Sequence, residues 1–140
     1  MTDSNRERDL GRPRLVLVSF EQFGYHTDTF EYCRYLRDHY AITYLCLDQG
    51  LQRQDMDGIE VVYCNRSPFG KVELGLLVDA MAVIRRSRPD IVFLRRTKLS
   101  FLLRLRFPRT PMVFDIRSGS IEEDPFRRAL ENFFIRFNSR

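Results

Sequence analysis

In this 140-residue chain, three residues with titratable or charged side chains lie at or just after the ends of hydrophobic runs. His26 lies in a short loop after one such run, where it could act as a general base or hydrogen-bond a hydroxyl group. Asp115 and Arg117 flank Ile116 near the end of another run, and strand alternation sends both side chains to one face. Such a pair could bind polyol hydroxyls or position a leaving group. The alternatives are a solvent-exposed loop histidine and a mutual ion pair that steadies the loop.

Several common catalytic and nucleotide-binding motifs are missing from the sequence. The loop after the first hydrophobic run has Gly24 but no G-x-G-x-x-G, which argues against a dinucleotide-dependent dehydrogenase. The pair Gly70-Lys71 lacks the rest of a P-loop, and G-x-S-x-G is absent. His26 and His39 have no metal-ligand spacing, and the acidic run at 122–124 is better explained by a helix N-terminus than by ligands.

Composition indicates one globular domain without a membrane span. The chain is 44% hydrophobic and 30% charged, and its 23 basic and 19 acidic residues give a net charge of only +4, so we expect no nucleic-acid partner. Cys33, Cys46 and Cys64 lie among apolar neighbours without C-x-x-C spacing, which predicts reduced, packed thiols and a cytoplasmic location. The polar segment Met1–Pro13 is expected to be a disordered lead-in, not a signal sequence.

Hydrophobic runs alternate with amphipathic helical patterns along the rest of the chain. The predicted strands are Arg14–Phe20, Ala41–Leu47, Ile59–Cys64, Asp90–Leu94 and Pro111–Ile116. Asp28 with Glu31 indicates the N-cap of a first helix. Further helices are predicted from about Gly70 to Ser87, around Leu99–Leu103, and after Pro125, where apolar residues form a continuous face: Phe126, Leu130, Phe133, Phe134 and Phe137.

This alternation predicts an α/β fold, a Rossmann-like doubly wound parallel sheet of about five strands in the order 3-2-1-4-5 with helices on both faces. The first strand should be central, because its run is apolar on both faces. Ligands in such sheets bind beyond the carboxyl ends of the strands, where the order reverses between strands one and four. Three loops should meet there: Glu21–Thr27, Arg95–Lys98 and Asp115–Asp124.

In the order and separation of these segments, the chain resembles the N-terminal domain of GT-B-type glycosyltransferases of the family-4-like group, from Arg14 to Arg140. The resemblance is carried by strand one with its glycine-containing loop and by three later stretches: Asp57-Gly-Ile-Glu-Val61, Arg88-Pro-Asp-Ile-Val92 and Pro111-Met-Val-Phe-Asp-Ile-Arg117. Glu131, in a helix approaching the final strand of such a domain, also fits. The paired glycines common in the first loop are absent, and Arg95-Arg96 stands where a histidine-containing segment is frequent.

The resemblance implies two Rossmann-like domains facing a cleft, with this chain as the acceptor-binding half and a C-terminal donor-binding domain outside residues 14–140. It implies catalytic roles for His26, Asp115 and Arg117. The expected substrate-binding residues are Phe23, Gly24, Tyr25, Arg95, Arg96 and Ser118. No metal or other cofactor is expected, because family-4-like enzymes generally work without one on a nucleotide-sugar co-substrate.

The function expected from this resemblance is transfer of a sugar from a nucleotide-sugar to a hydroxyl of a glycan or lipid-linked acceptor. The isolated chain should be inactive without its donor domain. The stretch Lys98–Arg106, extended by Arg109, mixes leucines with arginines and could rest peripherally on the inner face of a membrane, or its leucines could simply pack on the sheet. The alternative functions are a non-catalytic Rossmann-like interaction module and, less well supported by the first loop, a methyltransferase.

Overall fold

The computed structural model describes residues 11–64, 72–95 and 100–115. Within these ranges five strands form one all-parallel sheet in the order β3-β2-β1-β4-β5. The strands are β1 (Arg14–Ser19), β2 (Ala41–Leu47), β3 (Ile59–Cys64), β4 (Ile91–Arg95) and β5 (Met112–Asp115). The predicted fold class, strand order and central position of β1 are therefore confirmed.

Apolar runs explain why β1 and β2 lie at the centre of the sheet. Residues 15–19 of β1 and 42–47 of β2 are all buried, as expected for strands covered on both faces. β2 and β3 have the predicted limits, whereas β1, β4 and β5 differ from prediction by one residue at one end or both. The shift in β4 matters most, since it places Arg95 inside the strand, beside Asp115 of β5.

Three helices occur in the described part of the chain: α1 (Thr27–Leu36), α2 (Val72–Ser87) and α3 (Phe101–Arg106). The predicted cap at Asp28 is wrong. His26 is the N-cap of α1, with an extended backbone and a side chain that accepts a hydrogen bond from the Thr29 N–H. Asp28 instead lies in the first helical turn, where a carboxylate suits the positive end of the helix dipole.

The sheet separates two hydrophobic cores, because alternate residues of each strand face opposite sides. On the α2 and α3 side, Val16 and Val18 pack with Leu76, Leu77 and other buried residues. On the α1 side, Leu15 and Leu17 pack with Cys33, Tyr44 and further apolar side chains. Helices thus cover both faces of the sheet, and loops lie at its carboxyl edge.

The three cysteines lie in the interior of the described fold. Cys33, Cys46 and Cys64 are free and buried, as predicted, and burial raises the pKa of Cys33 to about 12 and of Cys46 to about 11. None of the described helices is long and apolar enough to cross a bilayer. The predicted last helix after Pro125 and most of the predicted lead-in lie outside the described residues.

Candidate functional site

The candidate site lies at the carboxyl edge of the sheet, where the strand order reverses between β1 and β4. Its described parts are the loop between β1 and α1, the end of β4 and the end of β5. Arg96, Arg117 and Ser118, which were predicted to belong to it, lie outside the described residues. The connection between β2 and β3 also reaches this edge and was not part of the prediction.

An ion pair joins the first loop to β4. Arg95 donates a hydrogen bond through Nη1 to Oε1 of Glu21, and the two side chains are 36% and 30% exposed. The second carboxylate oxygen of Glu21 accepts from the Ser19 hydroxyl at 3.1 Å, and the Glu21 N–H donates to that hydroxyl at 3.2 Å. Glu21 is therefore fixed between the ends of β1 and β4.

The electrostatics of Glu21 reflect two opposing effects. Burial by itself would raise the pKa of this carboxyl group, but the charge and hydrogen bond of Arg95, together with bonds from its own backbone and from Ser19, lower the pKa below its usual value. Glu21 is therefore a carboxylate at neutral pH. In this state it accepts hydrogen bonds and is a weak proton acceptor.

Asp115 lies next to Arg95 on the neighbouring strand. The two residues are partners in the β4–β5 register, so their side chains leave the same face of the sheet. Glu21, Arg95 and Asp115 thus place two carboxylates and one guanidinium around the point where the strand order reverses. Such a set can accept hydrogen bonds from hydroxyl groups and donate them to oxygen atoms or anions.

His26 occupies a structural position at the start of α1. Its Nδ1 accepts from the Thr29 N–H at 3.4 Å, and a neutral ring with its proton on Nε2 satisfies this contact. Thr29 is buried and its hydroxyl lies 3.0 Å from the Tyr44 hydroxyl, which anchors the helix start to β2. The half-buried ring of His26 thus caps a helix at the site edge.

The predicted substrate-binding residues of the first loop have different surroundings. Phe23 is fully buried and packs against Phe30 and Tyr44, with ring centroids 5.5 and 4.9 Å apart, so its ring belongs to the core and presents no surface to a ligand. Tyr25 is 44% exposed, and its hydroxyl donates to the Gln52 carbonyl at 3.0 Å. Only Tyr25 of the two offers an aromatic surface at this edge.

Gly24 is favoured by its backbone conformation, and a side chain there would also displace the end of the Gln54 side chain. Its φ is +90°, a region that L side chains rarely adopt, and a Cβ built there would lie 2.2 Å from Oε1 of Gln54. The side chain of Gln54, from the connection between β2 and β3, therefore covers the backbone that the sequence suggested for contact with a ligand.

Gln22 ties that connection to the first loop and was missed by sequence reasoning. Its side chain is fully buried. Oε1 accepts from the N–H groups of Gln49 and Leu51 at 2.9 and 3.2 Å, and Nε2 donates to the carbonyls of Leu51 and Gln52 at 2.8 and 3.4 Å. One amide thus satisfies four backbone groups, which explains how a polar side chain can be buried here.

A second ion pair lies on the connection between β2 and β3. Arg53 donates to Asp48 at 2.6 Å and stacks over the Tyr63 ring at 4.6 Å, while the Tyr63 hydroxyl donates to the Gln54 carbonyl. The Arg53 side chain is 60% exposed. These contacts hold the outer part of the connection and leave its arginine close to solvent.

Comparison with known proteins gives no relative from which to assign the site. No protein-family model, curated protein or solved structure matches this chain. Within the described part of the chain, no group of three or more His, Cys, Asp or Glu side chains is placed to hold a metal ion. The chemistry available at this edge is therefore that of Glu21, Arg95, Asp115 and their neighbours.

Proposed function

We propose that this chain is the acceptor-binding domain of a GT-B-type glycosyltransferase, which transfers a sugar from a nucleotide-sugar to a hydroxyl of a glycan or lipid-linked acceptor. The observation that carries the proposal is the set of Glu21, Arg95 and Asp115 at the switch point of a 3-2-1-4-5 parallel sheet. Carboxylate and guanidinium groups suit the recognition of polyols. The fold alone does not specify this chemistry.

The mechanism that follows divides the work between two domains. In this domain, Asp115 and Glu21 accept hydrogen bonds from acceptor hydroxyls and orient one of them toward the donor, while Arg95 donates to ligand oxygens. His26 fixes the start of α1, and Arg117, next to Asp115 in sequence, completes the polar set. Stabilisation of the departing nucleoside diphosphate falls mainly to the C-terminal domain, and no metal or other cofactor is required.

The decisive experiment assays the complete gene product that contains this chain. A panel of nucleotide-sugars and sugar acceptors is incubated with it, and glycosylated product and released nucleoside diphosphate are measured by mass spectrometry. We expect transfer with at least one pair and none with the 140-residue chain alone. Absence of transfer with every pair, or turnover by the 140-residue chain, contradicts the proposal.

Asp115→Asn tests whether the site is where we propose. The variant should lower turnover of the complete gene product about tenfold or more while its melting temperature changes little, because one charged hydrogen-bond acceptor is lost at the substrate. Asp48→Asn is the matched control, since it removes a carboxylate from the same edge but outside the proposed site. Equal losses in both variants would argue against a role for Asp115 in substrate binding.

The alternative is a non-catalytic interaction module, and one observation favours it. The polar groups of the edge already engage one another, with Glu21 on Arg95 and Gln54 over Gly24. In a non-catalytic module these contacts are the final structure and need not open for a ligand. Transfer activity that depends on Asp115 separates the two proposals.

We further propose cytoplasmic residence with peripheral contact to an anionic membrane through α3. Leu103 is buried, but Leu105 is 58% exposed and lies beside the exposed Arg106, with Arg109 exposed in the following turn. Each basic residue near an anionic surface contributes about 1 kcal/mol. Binding to anionic vesicles should therefore fall in Arg106→Glu/Arg109→Glu and not in Arg53→Glu, and equal binding by all three proteins would refute the contact.

A further inference from the structure

Glu21 accepts a hydrogen bond from only one of the nitrogens of the Arg95 guanidinium group. Within the described ranges, Arg95 contacts Glu21 through a single nitrogen, Nη1, and a single carboxylate oxygen. A guanidinium group carries five N–H donors in a planar fork that matches two oxygens of a phosphate or carboxylate at once. More than a third of the Arg95 side chain is exposed. Part of the Arg95 side chain is therefore accessible to a ligand.

Glu21 is hydrogen-bonded on two sides, to Arg95 of β4 and to Ser19 of β1. Its second oxygen is committed to the Ser19 hydroxyl, which is itself buried, and its backbone N–H bonds to the same hydroxyl. The carboxylate contacts Arg95 through one oxygen, and the two bonds with the Ser19 hydroxyl restrict how the Glu21 side chain can reorient. A free anion has no such constraint and can bind the guanidinium through two parallel hydrogen bonds.

We propose that Glu21 occupies the place of an anionic ligand group, and that a phosphate or carboxylate displaces it from Arg95 when ligand binds. The inference rests on the proposed function in one respect only: the anion would belong to the donor or to the acceptor of the transfer reaction. The Glu21 side chain remains close to the site and binds Arg95 again when the anion leaves. Arg95 is thus the binding residue, and Glu21 determines how strongly an anion must compete for it.

Proton uptake should accompany the exchange. Among the described residues, the charged and polar groups that face Glu21 are Arg95 from β4 and Ser19 from β1, and Asp115 of β5 lies beside Arg95. When an anion takes Arg95, Glu21 keeps its partial burial and loses the positive charge that lowered its pKa. Its folded pKa then rises, so anion binding should strengthen as the pH falls toward the range in which carboxyl groups titrate.

The test measures anion binding to the 140-residue chain by NMR, following the backbone N–H signals of Glu21 and Gln22 (or the residue that replaces Glu21) during titration with inorganic phosphate and with sulfate. In every protein that keeps Arg95, its side-chain Nε–H signal is followed as well. Sulfate is used for the pH series because, unlike phosphate, it does not change charge across this range. The variants are Glu21→Gln, which keeps the shape of the side chain, and Arg95→Met, which removes the cation. Arg53→Met is the matched control, since it removes an ion-paired arginine from the same edge.

We expect Glu21→Gln to bind phosphate about tenfold more tightly than the unmodified chain, and Arg95→Met to bind it about tenfold more weakly. Arg53→Met should bind as the unmodified chain does. Sulfate binding should strengthen at acid pH in the unmodified chain and lose that dependence in Glu21→Gln. No gain in Glu21→Gln, or equal losses in Arg95→Met and Arg53→Met, would overturn the proposal, and Glu21→Gln keeps the test valid if Arg95→Met does not fold.

The source of the anion is distinguished by two further titrations. Uridine diphosphate represents a donor diphosphate, and glucose 1-phosphate represents a phosphorylated sugar. Tighter binding of one than of inorganic phosphate, lost in Arg95→Met, identifies the group that Arg95 receives. These binding measurements are independent of glycosyl transfer, so anion exchange can fail while transfer by the complete gene product succeeds, and the reverse outcome is equally recognisable.

Discussion

Glu21 and Gln22 are consecutive residues of nearly the same shape, yet they belong to two very different sides of the carboxyl edge. Glu21 is directed to the β4 side, where its charge meets Arg95 and both side chains remain about a third exposed. Gln22 is directed to the β2 side, where it is fully buried and bonded to four backbone groups. On the β2 side the loop is closed around a neutral amide, and the Asp48–Arg53 ion pair lies farther out on the connection between β2 and β3. On the β4 side the charged pair itself is accessible to solvent.

The difference shows how the same loop can carry both a scaffold and a site. A neutral amide can be buried without large cost when each of its donors and acceptors has a partner. A carboxylate and a guanidinium would lose much more hydration free energy in the same place, so they lie where water still reaches them. Solvent access on the β4 side is also what a ligand requires, which is why we place the site there.

The largest loss in the free energy of unfolding should come from removing the Gln22 amide on the β2 side. Gln22→Ala leaves two N–H groups and two carbonyls without their side-chain partner, and we expect a loss of about 3 kcal/mol in the free energy of unfolding. Urea denaturation measures this loss. Gln52→Ala is the control, because only the backbone carbonyl of Gln52 takes part in the network. If Gln22→Ala lowers the free energy of unfolding no more than Gln52→Ala does, the buried Gln22 network does not stabilise the β2 side.

A smaller loss in the free energy of unfolding is expected when a side chain is added at Gly24, beside Gln54. Gly24→Ala combines a left-handed backbone with a contact to Gln54, whereas Gly50→Ala combines a similar φ of +76° with open space. The backbone contribution is about 1 to 2 kcal/mol at each position, so the excess in Gly24→Ala reports the Gln54 contact. Adding Gln54→Ala should remove that excess. An unchanged excess in the double variant would mean that Gln54 does not close this side.

On the accessible side, Glu21→Gln should cost less than about 1 kcal/mol, since the ion pair is partly screened by solvent. The pKa of Glu21 is lowered in the folded chain, so its contribution is present above the unfolded pKa of about 4.3 and is lost as the pH falls through the lower folded value. The free energy of unfolding of the two proteins should therefore converge at acid pH. A difference that persists there would rule out the ion pair as its cause.

The smallest effect is expected for Tyr25→Phe. It removes one hydrogen bond from an exposed hydroxyl to the Gln52 carbonyl, and that carbonyl keeps its contact with Gln22. We expect a change of less than about 0.5 kcal/mol in the free energy of unfolding. Thermal denaturation of Tyr25→Phe and Gln22→Ala compares their stabilities. A large loss of stability in Tyr25→Phe would show that Tyr25 belongs to the same stabilising network as Gln22.

Most of the fold was predictable because its signals are local. Buried parallel strands appear as apolar runs, so 15–18 and 42–47 were recognisable without any knowledge of their neighbours. The order of strands followed from their alternation with helical patterns. The start of α1 was misplaced by two residues because both His26 and Asp28 can cap a helix, and the backbone selects the former.

For the candidate site, the sequence indicated which residues lie at the carboxyl edge but not the contacts that they make. The predicted strand order placed Arg95 and Asp115 at the carboxyl edge of the sheet, and the structure has both residues there. The importance of Gln22 was not visible, since its partners lie 27 to 30 residues away in sequence and are backbone atoms with no residue signature. Phe23 was expected to face a ligand because of its loop position, although its apolar ring was itself an indication of burial.

The separation of the two cores by the sheet gives the natural chain an internal set of chemical probes. Cys33 and Cys46 lie in the core on the α1 side, and Cys64 lies in the core on the α2 side. Burial raises the pKa of each thiol, so alkylation requires local opening. Mass spectrometry of partially alkylated chains can therefore report, without any added label, whether the two layers of the domain open together or one before the other.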